Sequence, residues 1–215
     1  MATQTRGLFV VIEGMDGAGT TTQTRLLTDA LNARDRAAVQ TREPSDGPIG
    51  VILRQMLAMR VVRPGPDGSL PMTRETLALL FAADRLDHVA VDIEPVVARG
   101  GVAISDRYDH SSLAYQGDVE GDEVDYQWVL DINARARRPD LTVFLRISVE
   151  DSIKRLDARA KRDLYETHDK LKRLALRYDE VMQMAQARGE RVLTLDATDS
   201  IESIHEAILA AVMAL

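Results

Sequence analysis

The feature that most constrains this chain is a glycine-rich turn between an apolar run and a helix-like run. The turn consists of Gly14, Met15, Asp16, Gly17, Ala18, Gly19, Thr20, Thr21 and Thr22. Its spacing is that of the phosphate-binding loop G-x-x-x-x-G-K-[ST], and it follows the apolar run 8–12. A strand, turn and helix in this order place backbone N–H groups and a helix N-terminus around one anion. The sequence therefore predicts phosphate chemistry, with Thr21 as the hydroxyl that holds Mg²⁺.

The loop departs from its motif at one position, because Thr20 stands where lysine is expected. That lysine normally reaches the β- and γ-phosphates, so its replacement removes a cation from the phosphate site. Three explanations stay open: a basic residue from elsewhere supplies the charge, the chain is a slow enzyme, or it binds nucleotides without transferring phosphate. Asp16 also places a carboxylate in the loop. This charge opposes phosphate binding unless it faces a second substrate or a metal-bound water.

Composition limits the class of protein. The chain has 215 residues, 45% of them apolar and 28% charged, so we predict one globular domain over 1–215. The net charge of −7 argues against nucleic acid as a partner and requires local clusters of Arg and Lys for any anionic ligand. The absence of cysteine excludes disulfides, thiolate catalysis and a cysteine zinc site. A short polar N-terminus and the absence of any apolar run of ~20 residues predict a cytoplasmic protein with no membrane partner.

Short apolar runs alternate with longer helical patterns along the chain. Strands are predicted at 8–13, 37–41, 101–105, 141–147 and 191–196. Helices are predicted at 21–33, 48–58, 73–98, 123–136, 149–160, 167–188 and 200–214. This alternation predicts an α/β fold with a five-stranded parallel sheet covered on both faces, and with ligands at the carboxyl ends of the strands. The segment 61–71, with three prolines and two glycines, is predicted to be a surface loop.

Charged side chains follow two of the predicted strands. Asp106 and Arg107 end one strand, where the carboxylate suits a hydrated metal and the guanidinium suits a phosphate. A surface ion pair between these two neighbours is the alternative. Arg42 follows a second strand, and Phe81 and Arg85 lie four residues apart on one helix face. That face suits a planar base with polar edges, and a core Phe beside a capping Arg is the alternative.

Four motifs in this order resemble the thymidylate kinase family of the nucleoside monophosphate kinases. They are the phosphate loop 14–21, Thr41-Arg42-Glu43-Pro44, Phe81-Ala82-Ala83-Asp84-Arg85 and the run Asp106 to Gly117, with Asp106-Arg107-Tyr108, Ser111 and Ala114-Tyr115-Gln116. The resemblance extends from about Leu8 to the C-terminal helix. It implies a P-loop NTPase-type three-layer α/β/α fold with a short lid, and a homodimer. It also implies transfer of phosphate from ATP to dTMP with Mg²⁺, giving dTDP and ADP for dTTP synthesis. A kinase for another pyrimidine nucleotide and a binding protein with weak or lost activity remain alternatives.

The resemblance also implies a role for each matching residue. Asp16, Arg42 and Arg107 would be catalytic residues around the dTMP phosphate, and Thr21 and Asp106 would hold the metal. The other dTMP contacts would be Phe81, Arg85, Ser111, Ser112, Tyr115 and Gln116, with Tyr115 favouring deoxyribose. Residues 14–22 would bind ATP, with Ala197 near the adenine.

The charged stretch 155–166 resembles the lid of this family. Some members carry an arginine in the phosphate loop and others carry basic residues in the lid, and Gly17 at the relevant loop position indicates the lid type. Arg159 and Arg162 are therefore predicted to be catalytic residues that replace the charge of the loop lysine. Arg146 stands where relatives usually carry an acid. It is either another phosphate contact or a surface partner of Glu150, and the surface role is favoured.

Overall fold

The computed structural model describes residues 6–66, 68–116, 126–157 and 168–215. Its strands are β1 Leu8–Gly14, β2 Ala38–Arg42, β3 Arg63–Gly65, β4 Gly68–Leu70, β5 Val102–Asp106, β6 Leu141–Arg146 and β7 Val192–Asp196. Within the described residues, five of them form a parallel sheet in the order β2-β5-β1-β6-β7. All five strands of this sheet were predicted from the sequence. The α/β fold is therefore confirmed.

Helices flank this sheet. They are α1 Thr20–Asn32, α2 Pro48–Leu57, α3 Arg74–His88, α4 Glu94–Ala98, α5 Asp109–Gln116, α6 Tyr126–Ile132, α7 Val149–Asp157, α8 His168–Ala187 and α9 Ile201–Met213. The side chains of β1 show that both sheet faces are covered. Leu8, Val10 and Ile12 pack in one buried cluster with α1, α8 and α9, whereas Phe9 and Val11 pack in a second cluster with α4. The central strand is therefore buried along its whole length, as expected for a parallel sheet.

The predicted helix 73–98 is divided into three parts. A π-helical turn, Val89–Ile93, separates α3 from α4. Pro95 lies in the first turn of α4, and the backbone stays in the right-handed helical region at His88, Ile93 and Glu94. The predicted helix therefore continues through the π turn, which forms beside a proline that lacks the N–H for a regular helical hydrogen bond.

The segment 61–71 lies at the surface, as predicted, since most of its described residues are exposed, but it contains regular structure that was not predicted. β3 and β4 form an antiparallel hairpin there, with Pro64 opposite Ser69 and Gly65 opposite Gly68. In an isolated hairpin both strands are edge strands, so a residue without an N–H is tolerated. The prolines of this segment are therefore compatible with a short strand.

Several predicted segments extend beyond the described residues. The predicted helix 123–136 appears as α6, and the predicted helices 149–160 and 167–188 appear as α7 and α8. The predicted lid contributes residues 155–157 to α7, and the rest of it, including Arg159 and Arg162, lies outside the described residues. None of the helices in the described ranges is long and apolar enough to cross a membrane.

Candidate active site

The glycine-rich turn joins β1 to α1 at the carboxyl edge of the sheet. Gly17 and Gly19 have φ angles of 84° and 98°, in the left-handed region that glycine adopts at little cost. A Cβ on Gly14 would lie 2.9 Å from the carbonyl oxygen of Leu145, so β6 leaves no room for a side chain there. The turn is therefore shaped as the backbone cradle for an anion that the sequence predicts.

The first two threonines of α1 have different environments. Thr20 is buried, and its Cγ2 lies 3.3 Å from the position that a Cβ on Gly14 would take. Thr21 Oγ1 donates a hydrogen bond to Asp106 Oδ2. Asp106 Oδ1 is buried and has no hydrogen-bond partner among the described residues. A hydroxyl and a carboxylate with a spare oxygen fit Mg²⁺, which takes few protein ligands and otherwise binds water and phosphate oxygens.

Arg107 turns away from its neighbour Asp106. Its φ of 72° lies in the left-handed region, and its backbone N–H donates to the carbonyl of Ile12 at 2.9 Å. The guanidinium donates to Asp16 through Nη2 and to the hydroxyl of Tyr115 through Nη1 at 3.1 Å. The alternative of an ion pair between Asp106 and Arg107 is therefore wrong, since each side chain contacts the phosphate loop instead.

Arg42 approaches the loop from β2. Its Nη2 lies 2.7 Å from Asp46 Oδ1, and 60% of its side chain is exposed. A cavity of about 240 Å³ brings it together with the loop, Asp106 and Arg107. Motifs from three neighbouring strands thus meet in one cavity, as expected at the carboxyl edge of a parallel sheet.

Arg85 is more deeply buried than a direct contact with a base requires. It is 1% exposed, and its Nε and Nη2 donate to Glu43 Oε2 at 3.0 and 2.6 Å. Its Nη2 also lies 3.0 Å from Ser112 Oγ, and its Nη1 donates to Asn133. Phe81, on the same helix, is half-buried. The structure therefore places Arg85 in a buried polar network, and its contact with thymine stays a prediction.

The other residues predicted to contact the base lie on α5. Ser111 Oγ donates to Glu13 Oε2 at 2.7 Å, and Ser112 is almost fully buried beside Arg85. Gln116 is 9% exposed, and its Oε1 has no hydrogen-bond partner among the described residues. Tyr115 lies under Arg107, with the guanidinium carbon 5.5 Å from the ring centroid. α5 thus brings the residues that are predicted to contact the base close to Arg85 and Arg107.

Ala197 lies on the other side of the phosphate loop. Arg155 donates from Nη1 to the carbonyl of Gly17 at 3.0 Å and from Nη2 to the carbonyl of Ala197 at 2.7 Å. These residues line a cavity of about 360 Å³ with Gly19 and Asp199. Arg155 thus holds the loop against the end of β7, although the sequence prediction placed it only in the charged lid stretch.

Two residues near the site were missed by the predictions from sequence. Glu13 is fully buried and accepts hydrogen bonds from the backbone N–H of Tyr108 at 2.8 Å and of Ser111 at 3.1 Å. Burial raises the pKa of Glu13, and the charges of His110 and Arg107 oppose this effect. The sequence carries a signal for Glu13, because an ionisable residue at the end of an otherwise apolar strand is unusual. Tyr178 on α8 contacts Arg107 and Ser111, and no local pattern indicates this.

The helix α5 itself was absent from the predicted helices. Glu13 accepts from its N-terminal N–H groups, so a residue nearly one hundred positions away performs the role of a local cap. Arg146 is 64% exposed, which agrees with the predicted surface role. Its ion pair, however, is with Asp179 at 2.6 Å rather than with Glu150.

The fold and the site define the class of protein. A phosphate loop at the carboxyl edge of a five-stranded parallel sheet, with arginines facing it, is characteristic of a P-loop nucleotide-binding protein of the kinase type. A family model described as thymidylate kinase matches residues 12–208. The chain therefore belongs to the thymidylate kinase family, and it is a nucleoside monophosphate kinase.

Individual relatives agree with this assignment. A probable thymidylate kinase of Thermococcus gammatolerans is 40% identical over 204 residues, which cover 94% of each chain. One from Thermococcus onnurineus is 38% identical and covers 95% of this chain and 97% of its own length. One from Pyrococcus horikoshii is 37% identical and covers 96% of each chain. The family and these relatives support ATP-dependent phosphorylation of dTMP.

Proposed function

We propose that the chain transfers the γ-phosphoryl group of ATP to the phosphate of dTMP, giving dTDP and ADP for dTTP synthesis. The observation that carries this proposal is that the phosphate loop, Arg42, Asp106 and Arg107 line the same cavity. Phosphoryl transfer needs positioning and neutralisation of charge more than covalent participation by the protein. This cavity supplies both.

The side of the loop that faces Arg155 and Ala197, which we call the donor side, would bind ATP. The backbone of residues 14–22 would hold its phosphates, and the adenine would lie in the cavity beside Arg155 and Ala197. Thr21 and Asp106 would hold Mg²⁺, which when bound neutralises charge on the phosphate oxygens. Both side chains already point at each other across the loop.

The side formed by Asp16, Arg42 and Arg107, which we call the acceptor side, would bind the phosphate of dTMP. Planar guanidinium groups suit phosphate oxygens, and two of them would offset the repulsion between the two anionic substrates. Asp16 pairs with Arg107, so it would orient that guanidinium and face the acceptor. This arrangement explains why a carboxylate is tolerated in a phosphate loop.

The thymine base would lie against α3 and α5. Phe81 would stack on it, and Ser111, Ser112 and Gln116 would line its pocket. Gln116 Oε1, which has no hydrogen-bond partner in the part of the chain that the structure describes, supports a polar ligand at this place, since a buried oxygen without a partner is costly. Tyr115 would crowd the 2′ position of the sugar. Arg85 would donate to the edge of the base through any guanidinium N–H group that its buried hydrogen-bond network does not use.

We propose that the lid replaces the missing loop lysine. Thr20 is buried and carries no charge, and Arg155 binds backbone carbonyls of the loop and of Ala197. Arg159 and Arg162 would therefore bring the additional charge to the ATP phosphates when the lid, predicted at 155–166, closes. Closure would also exclude water and limit hydrolysis of ATP.

We also propose a homodimer and a cytoplasmic location. The dimer is supported by apolar side chains on α3 and the π turn that face solvent in the single chain, namely Leu79, Leu86 and Val91, which are 53%, 41% and 62% exposed. Leu79 and Leu86 are seven residues apart and share one helix face. Light scattering after gel filtration measures the mass. A monomer at micromolar concentration would contradict the dimer.

The experiment that tests the function measures ADP release from Mg-ATP with dTMP, dUMP, UMP, CMP or no acceptor. We expect the strongest stimulation by dTMP and weaker stimulation by dUMP, because one methyl group in an apolar pocket contributes only about 1–3 kcal/mol. If UMP or CMP is the best acceptor, the substrate assignment is wrong. Nucleotide-induced thermal stabilisation without turnover for any acceptor would indicate a binding protein instead.

A further inference from the structure

Arg107 has a supporting contact that lies outside the sequence motifs. Its Nη1 lies 3.3 Å from Tyr178 Oη, which belongs to α8. Tyr178 is fully buried. Its ring stacks on Phe144 of β6, with 5.7 Å between the centroids and 15° between the planes, and it meets the ring of Tyr115 at right angles. The hydroxyl is therefore held in a fixed position relative to the sheet.

The hydrogen bonds at this hydroxyl have a defined direction. Arg107 can only donate, so Tyr178 Oη accepts from it. Ser111 uses its single hydroxyl proton to donate to Glu13, so the contact of 2.9 Å between Ser111 Oγ and Tyr178 Oη is donated by the tyrosine. Burial raises the pKa of the Tyr178 hydroxyl well above its usual range, so the proton for this bond stays in place.

The chain of hydrogen bonds ends at a fixed acceptor. Glu13 belongs to the buried central strand and accepts three donors, the hydroxyl of Ser111 and the backbone N–H groups of Tyr108 and Ser111. A connected line of hydrogen bonds thus runs from β1 through Ser111 and Tyr178 to Arg107. Arginine has a long side chain with several rotatable bonds, so it needs such acceptors to keep one orientation.

We propose that Tyr178 is a positioning residue whose hydroxyl holds the Arg107 guanidinium in the orientation that receives the acceptor phosphate. This inference rests on the proposed function, which gives Arg107 that phosphate. Asp16 and Tyr115 also hold Arg107, so loss of the Tyr178 hydroxyl would weaken the orientation without abolishing it. The ring of a phenylalanine would keep the stacking on Phe144.

The test compares Tyr178→Phe with Tyr108→Phe. Both hydroxyls are buried, but that of Tyr108 has no hydrogen-bond partner among the described residues, so its removal is the matched control. We expect Tyr178→Phe to raise the dissociation constant and the KM of dTMP about threefold to tenfold, the range that one hydrogen bond gives. The KM of ATP should stay the same, and the control should bind dTMP like the wild type.

A second arm separates positioning from a merely structural role. In an Arg107→Met background, Tyr178→Phe should cause no further loss of dTMP affinity, because the hydroxyl acts through Arg107. An equal loss in both backgrounds, an equal change in the KM of ATP, or unchanged dTMP affinity in Tyr178→Phe would each overturn the proposal. If the wild type does not bind dTMP, the proposed function fails with it. If the wild type is active and only the variants disagree, the positioning role alone is wrong.

Discussion

The acceptor side and the donor side of the phosphate loop are built differently. On the acceptor side, Arg107 and Arg42 are held by the side chains of Asp16 and Asp46, and Tyr115 and Tyr178 add further hydrogen bonds. On the donor side, the described structure offers the loop backbone and Arg155, whose guanidinium contacts carbonyl oxygens. If the proposed function is correct, the fold positions the arginines for dTMP in advance, whereas the described residues leave part of the charge for ATP to be supplied by the proposed lid.

Under the proposed replacement by the lid, this difference would account for Thr20 in place of lysine. A cation that is fixed in the loop can be replaced by one that arrives with a moving segment, provided that the electrostatic contact forms in the transition state. Of the two proposed acceptor arginines, Arg107 is the more firmly held, because Asp16, Tyr115 and Tyr178 all accept from its guanidinium.

Replacing Arg107 should have the largest effect. Arg107→Met removes the best-held guanidinium of the acceptor side, and we expect kcat/KM for dTMP to fall about 10³-fold, because Arg107 is proposed to orient the acceptor phosphate and to offset its charge during transfer. Steady-state kinetics with varied dTMP measure this loss. Arg60→Met, at an exposed position, is the control. A loss below tenfold would mean that Arg107 is not a phosphate contact.

Neutralising the lid arginines should have the next largest effect. Arg159→Ala with Arg162→Ala should lower kcat about 10²-fold to 10³-fold, since these residues are proposed to supply the charge that Thr20 lacks. Single-turnover measurements of ADP formation separate this effect from product release. Lys170→Ala with Lys172→Ala removes the same charge from the exposed surface of α8 and should change little. An unchanged rate in the lid variant would refute replacement by the lid.

Introducing a lysine at position 20 should have an effect that depends on whether the lid arginines are present. We expect Thr20→Lys to raise kcat only a few-fold in the wild type but about tenfold or more in the lid variant, because one charge-assisted hydrogen bond contributes about 1.5–3 kcal/mol. The double-mutant cycle measures the coupling between loop and lid. Equal gains in both backgrounds would show that the two sites act independently. Thr20→Ser keeps the hydroxyl, adds no charge and serves as control.

The smallest expected effect is on stability, and it concerns the buried charges around His110 of α5. His110 is fully buried and lies 3.0 Å from Glu190 and 3.3 Å from Asp109. Burial lowers the pKa of His110, but the nearby carboxylates of Asp109, Glu190 and Glu13 raise it more, so its pKa lies above the usual value. The ion pairs of His110 therefore stabilise the fold fully below pH 6.5, and this stabilisation is lost as the pH rises through the raised pKa.

His110→Gln should consequently be less stable than the wild type at pH 6, and the difference should shrink above that raised pKa. A difference of about 1 kcal/mol corresponds to about 2–4 °C in Tm for a chain of this size. Thermal unfolding from pH 6 to pH 9 measures it. A difference that is constant with pH would show that His110 is not charged in the folded chain. The donor side has no such buried pair among the described residues and should show no matching pH dependence.

Local pattern predicted most of the fold. The apolar runs of β1, β5 and β6 are short and flanked by turns, so period and length identify them without tertiary information. The phosphate loop was equally readable, because Gly17 and Gly19 have left-handed φ angles that favour glycine. The errors arose at β3–β4, at the π turn and at α5, where pairing, a proline and a distant carboxylate decide the structure.

The five-stranded sheet, the phosphate loop and the family could all be predicted from the sequence, whereas the phosphate-binding roles of Arg42 and Arg107 stay predictions. These features depend on residues close together in the chain or on motifs with fixed spacing. Only the tertiary structure decided that Arg85 lies in a buried network with Glu43, that Arg155 binds the loop, and that Tyr178 supports Arg107. The physical reason is that a hydrogen bond depends on distance and direction in space, and neither is encoded by the spacing of residues along the chain.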